Sequence, residues 1–260
     1  MLLCPVRACH QALVRDAKRL VCPKSHSFDA AASGYVNLLQ PQAKRSKDPG
    51  DTAAAVAARR RLHDRGVTGP LLEAIAEIVC PTQTDVVLDA GCGDGFYLGT
   101  LARRFGFEAY GVDISIPAVK AAARRYPEYQ WIVANADRFV PYAGGSFSVV
   151  MSITARMNAG EFRRVLRDDG RLLVAIPSAQ DLIELRSPLG GEGRDRVDRT
   201  VETFANDFAL IDRRTATTAA DLDEDAVRDV LLSIYRPMRS QPVEAMHVTL
   251  GLDLLLFRPK

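Results

Sequence analysis

The chain has 260 residues, of which 47% are apolar and 25% are charged, so it can bury a sizeable core. No apolar run reaches the roughly 20 residues of a membrane span, and residues 1–5 are too short an apolar stretch for a signal peptide, so we expect no membrane insertion and a cytoplasmic location. The net charge of +2 is uneven, because residues 1–70 hold 12 Lys and Arg against 5 Asp and Glu, which predicts either attraction to a polyanion such as nucleic acid or a solubilising face.

Three of the five cysteines lie near the N-terminus, in a pattern typical of a metal site. Cys4 and Cys9 form one ligand pair, and Cys22 and His26 form another. Four such ligands suit tetrahedral Zn²⁺, and a closed Cys3His set indicates a structural ion. A segment this short has too little core to fold alone, so the metal would supply stability. His10 is an alternative ligand, and a set of unliganded thiols is the competing interpretation.

A polar segment, residues 41–51, follows the cysteine-rich part and contains an Asp-Pro-Gly turn signal. Asp51 or Thr52 is predicted to cap a helix that runs to about residue 65. A second helix is predicted over residues 71–79. The expected domains are a zinc ribbon at 1–40, a basic linker and helix at 41–70, and an α/β domain at 71–260.

From residue 85 onward, short apolar runs alternate with helical segments. The predicted strands are 86–90, 109–112, 131–134, 149–153 and 172–176, and the predicted helices are 97–105, 116–126 and 161–166. This alternation predicts a doubly wound, mostly parallel sheet. The C-terminal part is predicted to contain a loop at 187–199, a strand at 208–211, a helix at 224–235 and a strand at 247–257. The last strand suits an antiparallel insertion at the edge of the sheet.

The glycine-rich turn after the first strand, Asp89-Ala90-Gly91-Cys92-Gly93-Asp94-Gly95, predicts close approach of a ligand to the backbone. A dinucleotide site uses similar geometry, but its fingerprint has a small residue where this chain has Phe96. A carboxylate at Asp89 would also repel a pyrophosphate, whereas it favours a cation such as S-adenosylmethionine. Asp113, after the second strand, can accept hydrogen bonds from ribose hydroxyls, and Asn135 can meet the adenine edge.

The order of these features resembles the large-subunit ribosomal-RNA guanine-N1 methyltransferases of the RlmA type. The matching stretches are CPKSHSFD at 22–29, GYVNLL at 34–39, KRSKDPGD at 44–51, ARR at 58–60 and the glycine-rich turn. The resemblance implies a seven-stranded class I methyltransferase sheet, doubly wound and mostly parallel, with a small N-terminal zinc ribbon. It also implies that the ribbon helps to recognise a hairpin in the RNA and that guanine is methylated at N1. The oligomeric state stays open, with a homodimer among the alternatives.

The resemblance and the residue patterns together give the candidate ligands of zinc and of S-adenosylmethionine. The zinc ligands are Cys4, Cys9, Cys22 and His26. The cofactor-binding residues are Thr68, Asp89, Gly91, Gly93, Asp94, Gly95, Asp113 and Asn135. Thr68 stands where the family has an aromatic residue shortly before the second helix.

Other departures from the family pattern lie near the expected reaction centre. Residues 153–156, Ile-Thr-Ala-Arg, replace Val/Ile-Phe/Tyr-Ala-Pro, and Asp181 replaces a histidine of some members. These departures leave two alternatives open. One is a methyltransferase of the same fold that acts on a small molecule, and the other is an inactive protein that binds zinc, cofactor and RNA.

Neutral guanine carries a proton on N1, so its methylation requires a base. Asp181, after the fifth strand, is the candidate base, and a solvated carboxylate that caps the next helix is the competing interpretation. Arg156 is a candidate contact for a phosphate or the target base, with a surface salt bridge as the alternative. The residues predicted to bind RNA phosphates are Lys44, Arg45, Lys47, Arg59, Arg60 and Arg61.

Overall fold

A computed structural model describes residues 1–43, 48–185, 196–234 and 243–260. The strands in these ranges are β1 (Val14–Asp16), β2 (Arg19–Val21), β3 (Ser27–Asp29), β4 (Val36–Asn37), β5 (Val86–Ala90), β6 (Glu108–Asp113), β7 (Gln130–Val133), β8 (Phe147–Ile153), β9 (Leu166–Pro177), β10 (Phe208–Leu222) and β11 (Met246–Pro259). The α-helices are α1 (Ala53–Asp64), α2 (Gly69–Val79), α3 (Phe96–Phe105), α4 (Ile116–Arg125), α5 (Ala159–Val165), α6 (Val197–Phe204) and α7 (Glu224–Ser233). None of these helices is long and apolar enough to cross a membrane.

The larger sheet has the strand order β10-β11-β9-β8-β5-β6-β7-β4. The six strands from β9 to β4 in this order are parallel, and β11 runs antiparallel to both of its neighbours. The predicted class I methyltransferase sheet is therefore confirmed, including the antiparallel insertion of the last strand. The sheet has eight strands where seven were predicted, because β4 from the N-terminal segment pairs with β7.

The N-terminal segment forms a small antiparallel sheet, β1-β2-β3, and is joined to the larger sheet at two points. Its chain continues into β4, where Val36 and Asn37 pair with β7. In addition, Leu2 bridges to Tyr142, close to the start of β8. Apolar residues of the segment, such as Leu13 and Leu20, belong to the same buried cluster as sheet residues. The N-terminal segment and the larger sheet thus share one core.

The glycine-rich turn and the capping residues fix where the central helices begin. Gly95 precedes α3 with a φ of +76°, and a Cβ at this position would lie 2.5 Å from the Trp131 ring of β7. Because Gly95 has no side chain, the start of α3 can pack closely against β7. Ser115 caps α4 by accepting a hydrogen bond from the Ala118 amide. Thr52 likewise caps α1, as the sequence predicts.

Three elements differ most from the prediction. β9 begins at Leu166, directly after α5, because Gly170 packs against the Leu166 side chain and lets the strand continue through a polar stretch. β10 has 15 residues, and its mixed exposed pattern gives little apolar signal in sequence. Residues 197–199, predicted as loop, begin α6, whose Phe204 stacks on Phe162 of α5. The remainder of that predicted loop lies outside the described residues, as does the predicted end of α7 at Tyr235.

Helix α1 is held at the carboxyl edge of the sheet by α7. Leu62 of α1 lies in a buried cluster with Ala226 and Val230 of α7. Arg61 donates two hydrogen bonds to the buried carboxylate of Asp229, at 2.5 and 2.8 Å. These contacts position one face of α1 toward the strand ends.

Candidate cofactor site and metal centre

The four predicted zinc ligands come together in the N-terminal segment. Their donor atoms lie within 4.8 Å of one another, with His26 Nδ1 at 3.3 Å from the Sγ atoms of both Cys4 and Cys22. The Sγ atoms of Cys9 and Cys22 are 3.8 Å apart. A tetrahedral zinc ion with Zn–S bonds of about 2.3 Å separates its sulfur ligands by about 3.8 Å. The three thiols and the imidazole therefore fit a structural zinc ion.

His10, the alternative ligand, lies elsewhere. Its ring stacks on Phe139, with 4.2 Å between the ring centroids and 7° between the planes. Phe139 follows β7, so His10 contributes to the contact between the N-terminal segment and the sheet.

The carboxyl ends of β5 to β9 open into a cavity of about 960 Å³. Most of the predicted cofactor and catalytic residues line it. They are Asp89, Gly91, Gly93, Asp94, Asp113, Asn135, Arg156 and Asp181. Gly95 and Thr68 are outside this lining, since Gly95 faces Trp131 and the Thr68 hydroxyl bonds to His63. A parallel sheet places its ligands at this edge.

Gly91 and Gly93 shape the floor of the cavity. Gly91 has a φ of +96°, and a Cβ there would lie 2.3 Å from the Cβ of Ala155. The amide of Gly93 donates a 2.9 Å hydrogen bond to Asp113 Oδ2. Only glycine can adopt the φ of Gly91 without strain and also leave room for the Ala155 side chain. The turn therefore leaves its backbone open to a ligand.

Two buried carboxylates make the cavity suited to a cation. Asp89 Oδ1 and Asp94 Oδ2 have no hydrogen-bond partner among the described residues. Burial, and secondarily the charge of Asp113, raise the pKa of Asp89 to about 8. Burial also raises the pKa of Asp94, against the opposing effect of the Arg59 guanidinium. A positively charged ligand would stabilise both ionised carboxylates, so the orphaned oxygens fit the sulfonium and ammonium groups of S-adenosylmethionine.

Asp113 and Asn135 are positioned by hydrogen bonds to nearby backbone. Asp113 accepts from the amides of Gly93 and Ser115, at 2.9 and 2.7 Å. Burial raises the pKa of Asp113, although these two amides lower it. Asn135 Oδ1 accepts a 3.1 Å hydrogen bond from the Asp137 amide. Both side chains stand at neighbouring strand ends, as the sequence predicts.

Helix α1 supplies two cavity residues that the sequence analysis did not assign to the cofactor site, Arg59 and His63. Arg59 donates a 2.5 Å hydrogen bond to Asp51, which also lines the cavity, and another to the Ser233 carbonyl. The spacing of four residues between Arg59 and His63 places them on one helical face and was the available sequence signal. Nothing local in the sequence shows that this face meets the cavity.

The predicted phosphate-binding arginines have intramolecular partners. Arg59 and Arg61 bind Asp51 and Asp229, so these guanidinium groups are engaged inside the molecule. Arg60 lies 3.9 Å from Asp64 on the same helix. Lys44, Arg45 and Lys47 lie outside the described residues.

The two candidate catalytic residues follow neighbouring strands and both line the cavity. Asp181 follows β9, and its Oδ1 accepts a 3.0 Å hydrogen bond from the Gly251 amide of β11. Arg156 follows β8, is 73% exposed in its side chain and lies 3.5 Å from Asp137. The preceding Thr154 has a φ of +50°, so the chain turns sharply between β8 and Arg156.

Comparisons with known proteins match both parts of the chain. A family model described as RlmA, N-terminal, matches residues 2–47, and a methyltransferase-domain model matches residues 87–174. A 23S rRNA (guanine(748)-N(1))-methyltransferase of Streptomyces fradiae is 35% identical over 237 residues, which cover 88% of this chain and 83% of that protein. A protein of Micromonospora griseorubida, provisionally named a 23S rRNA (guanine-N(1)-)-methyltransferase, is 36% identical over 208 residues, which cover 73% of this chain and 70% of that protein.

A solved structure shares the fold of the larger domain. The YcgJ protein from Bacillus subtilis has a TM-score of 0.52 and 17% identity, and the match covers 73% of this chain and 97% of that one. At this level of identity the match concerns the fold alone.

Proposed function

Because this chain belongs to the family of 23S rRNA (guanine-N1)-methyltransferases, we propose that it methylates N1 of a guanine in a hairpin of large-subunit ribosomal RNA. It is an S-adenosylmethionine-dependent methyltransferase with a zinc ribbon. The observation that carries the proposal is the 35% identity to the Streptomyces fradiae enzyme over 88% of this chain, a match too long to come from the methyltransferase domain alone. A small-molecule methyltransferase and an inactive binding protein, the two alternatives, are not favoured by this relationship.

We assign the two ends of the cavity to different parts of S-adenosylmethionine. When bound, this molecule supplies a methyl group on a positively charged sulfur. The orphaned oxygens of Asp89 and Asp94 support an assignment to its cationic end. Asp113 and Asn135 stand at the next strand ends and are assigned to the ribose and the adenine. Gly91 lets the ligand approach the backbone closely.

The chain's own residues would then align the guanine and accept its proton. Alignment of N1 with the methyl carbon is the main requirement of an in-line displacement. Asp181 is assigned as the group that would accept the proton of guanine N1 during methyl transfer. Its hydrogen bond from Gly251 holds the carboxylate at the cavity wall. Arg156, at an exposed position, is assigned to a phosphate of the target nucleotide.

The ribbon is assigned to RNA recognition. Its exposed basic side chains include Arg7, Arg15, Lys18 and Lys24. These residues would attract the phosphate backbone in a salt-dependent manner. We retain the division into a ribbon at 1–40, a basic linker and helix at 41–70 and a methyltransferase domain at 71–260, and we place the activity in the cytoplasm with the ribosomal RNA.

Tritium transfer from labelled S-adenosylmethionine to deproteinised 23S rRNA tests the proposal. We expect label in the RNA and a new reverse-transcription stop at one guanine, because N1 methylation blocks the pairing edge of the base. Asp181→Asn is expected to reduce transfer, and Asp169→Asn, at an exposed position in β9, serves as the matched control. Label found only in small molecules, with no stop in the RNA, would contradict the proposal.

A further inference from the structure

His63 is a buried histidine that the assignments above leave without a role. It lies on α1, its side chain is only 4% exposed, and its ring forms part of the cavity lining. The ring stacks on Phe96 of α3, with 3.9 Å between centroids and 4° between planes. Its position is therefore fixed by packing between α1 and the helix that follows the glycine-rich turn.

The Thr68 hydroxyl sets the tautomer of this ring. Thr68 Oγ1 lies 2.7 Å from His63 Nδ1, and Thr68 is itself buried. Within the described residues, this hydroxyl forms its side-chain hydrogen bond with the His63 imidazole. If Nδ1–H donated instead, the Thr68 hydroxyl proton would have no acceptor among the described residues, so we assign the donor role to Thr68 and the ring proton to Nε2. Burial, together with the charges of Arg59 and Arg125, lowers the pKa of His63 to about 3, so the ring is neutral.

The Nε2–H group lies beside Asp94. The distance from Nε2 to Asp94 Oδ1 is 4.0 Å, which is too long for a hydrogen bond between the two groups. Asp94 Oδ2 has no partner among the described residues. A fixed donor and an orphaned acceptor thus stand side by side in the cavity wall, and an α-amino acid group carries the complementary pair, a carboxylate and an ammonium.

We infer that His63 and Asp94 together bind the α-amino acid group of the methyl donor, with Nε2–H donating to its carboxylate and Asp94 accepting from its ammonium. The location supports this inference. Asp113 and Asn135 are assigned to the nucleoside, which leaves Asp94 and His63 of the lining available for the methionine part. The guanidinium of Arg59, on the same face of α1, also lines the cavity and is paired there with Asp51. The inference rests on the assignment of this cavity to S-adenosylmethionine.

Calorimetry with two ligands tests the inference on the zinc-loaded full chain. S-adenosylhomocysteine carries the α-amino acid group, and 5′-methylthioadenosine is a thioether nucleoside without it. His63→Asn retains an amide near Nδ1 for Thr68 but has no atom at the place of Nε2, whereas His63→Gln extends an amide to that place. We expect His63→Asn to lower the affinity for S-adenosylhomocysteine about tenfold, as for loss of a hydrogen bond to a charged group. The affinity for 5′-methylthioadenosine should stay within about twofold of that of the parent protein.

The remaining outcomes separate a binding role from a packing role. His63→Gln should keep the affinity for S-adenosylhomocysteine within about threefold of that of the parent protein, because the glutamine amide retains a donor to the charged group. Equal weakening of both ligands by His63→Asn, or no weakening of either, would overturn the inference. Thr68→Val, which removes only the hydroxyl, gives a second variant if His63→Asn fails to fold, and its S-adenosylhomocysteine affinity should also fall. Failure of the parent protein to bind S-adenosylhomocysteine would instead contradict the cofactor assignment itself.

Discussion

Substitution of Gly91 by alanine tests why the cavity floor requires glycine. The new Cβ would meet the Cβ of Ala155 at 2.3 Å, and the φ of +96° disfavours any side chain. The backbone conformation costs of order 1–3 kcal/mol, and overpacking typically costs about 1–3 kcal/mol more. We therefore expect Gly91→Ala to lower the free energy of unfolding by about 4 kcal/mol, the middle of the combined range.

Gly34 provides a matched control for the backbone contribution. Its φ is +92°, and a Cβ there would have no atom within 4 Å. Gly34→Ala should therefore cost about 2 kcal/mol, from conformation alone. The double substitution Gly91→Ala with Ala155→Gly removes the close contact and should recover about 2 kcal/mol relative to Gly91→Ala.

Urea unfolding of the zinc-loaded protein measures these free energies, with Ala155→Gly alone as the reference for the double variant. S-adenosylhomocysteine binding, measured in parallel, should be weakened most in Gly91→Ala. If Gly91→Ala is no more costly than Gly34→Ala, or if Ala155→Gly recovers nothing, the contact with Ala155 does not exclude a side chain and the reasoning fails.

Chelation of zinc is expected to lower both the melting temperature and the affinity for S-adenosylhomocysteine, because the ribbon shares a core with the sheet. Addition of zinc should restore both. Unchanged affinity in the chelated protein would contradict this expectation. Affinity for S-adenosylmethionine should fall about tenfold per pH unit below 8, since Asp89, with its pKa raised to about 8, loses the charge that binds the cation. Asp89→Asn should remove that dependence, and its persistence would assign the titration to another group. Arg61→Met should lower the melting temperature, because it leaves the buried Asp229 carboxylate without its partner, whereas Arg60→Met should not; equal effects on stability would argue against the assignment. Asp181→Asn should reduce kcat for RNA methylation with little change in S-adenosylhomocysteine affinity, and an unaltered kcat would remove Asp181 as the base.

The strand ends and the metal ligands could be predicted because their signals are local. Asp89 and Asp113 each end an apolar run, and parallel strands bring such positions to one edge. The two zinc-ligand pairs are recognisable by their spacing. The family resemblance added the relation between ribbon and methyltransferase domain, which composition alone does not supply.

The contribution of α1 to the cavity could not be predicted, because it depends on contacts between distant parts of the chain. Asp229 lies far along the sequence from Arg61, and only the folded chain shows that they pair. The sequence alone does not place His63 of the same helix at the cavity, because its position there depends on how the helix packs against the strand ends. The long edge strand β10 was underestimated for a different reason, since residues 212–221 are polar or alanine on both sides of the strand and give little apolar signal.

The pairing of β4 with β7 has a geometric consequence for the proposed reaction. Val36 and Asn37 are hydrogen-bonded into the sheet whose other strands carry the methyl-donor site, and Leu2 adds a second attachment at Tyr142. The ribbon is therefore held at a fixed distance from the cavity. Under the proposed function, in which the ribbon binds an RNA hairpin, only a nucleotide at that distance can reach the cavity. Lengthening the hairpin stem would then move the target guanine out of reach without changing any contact at the cavity.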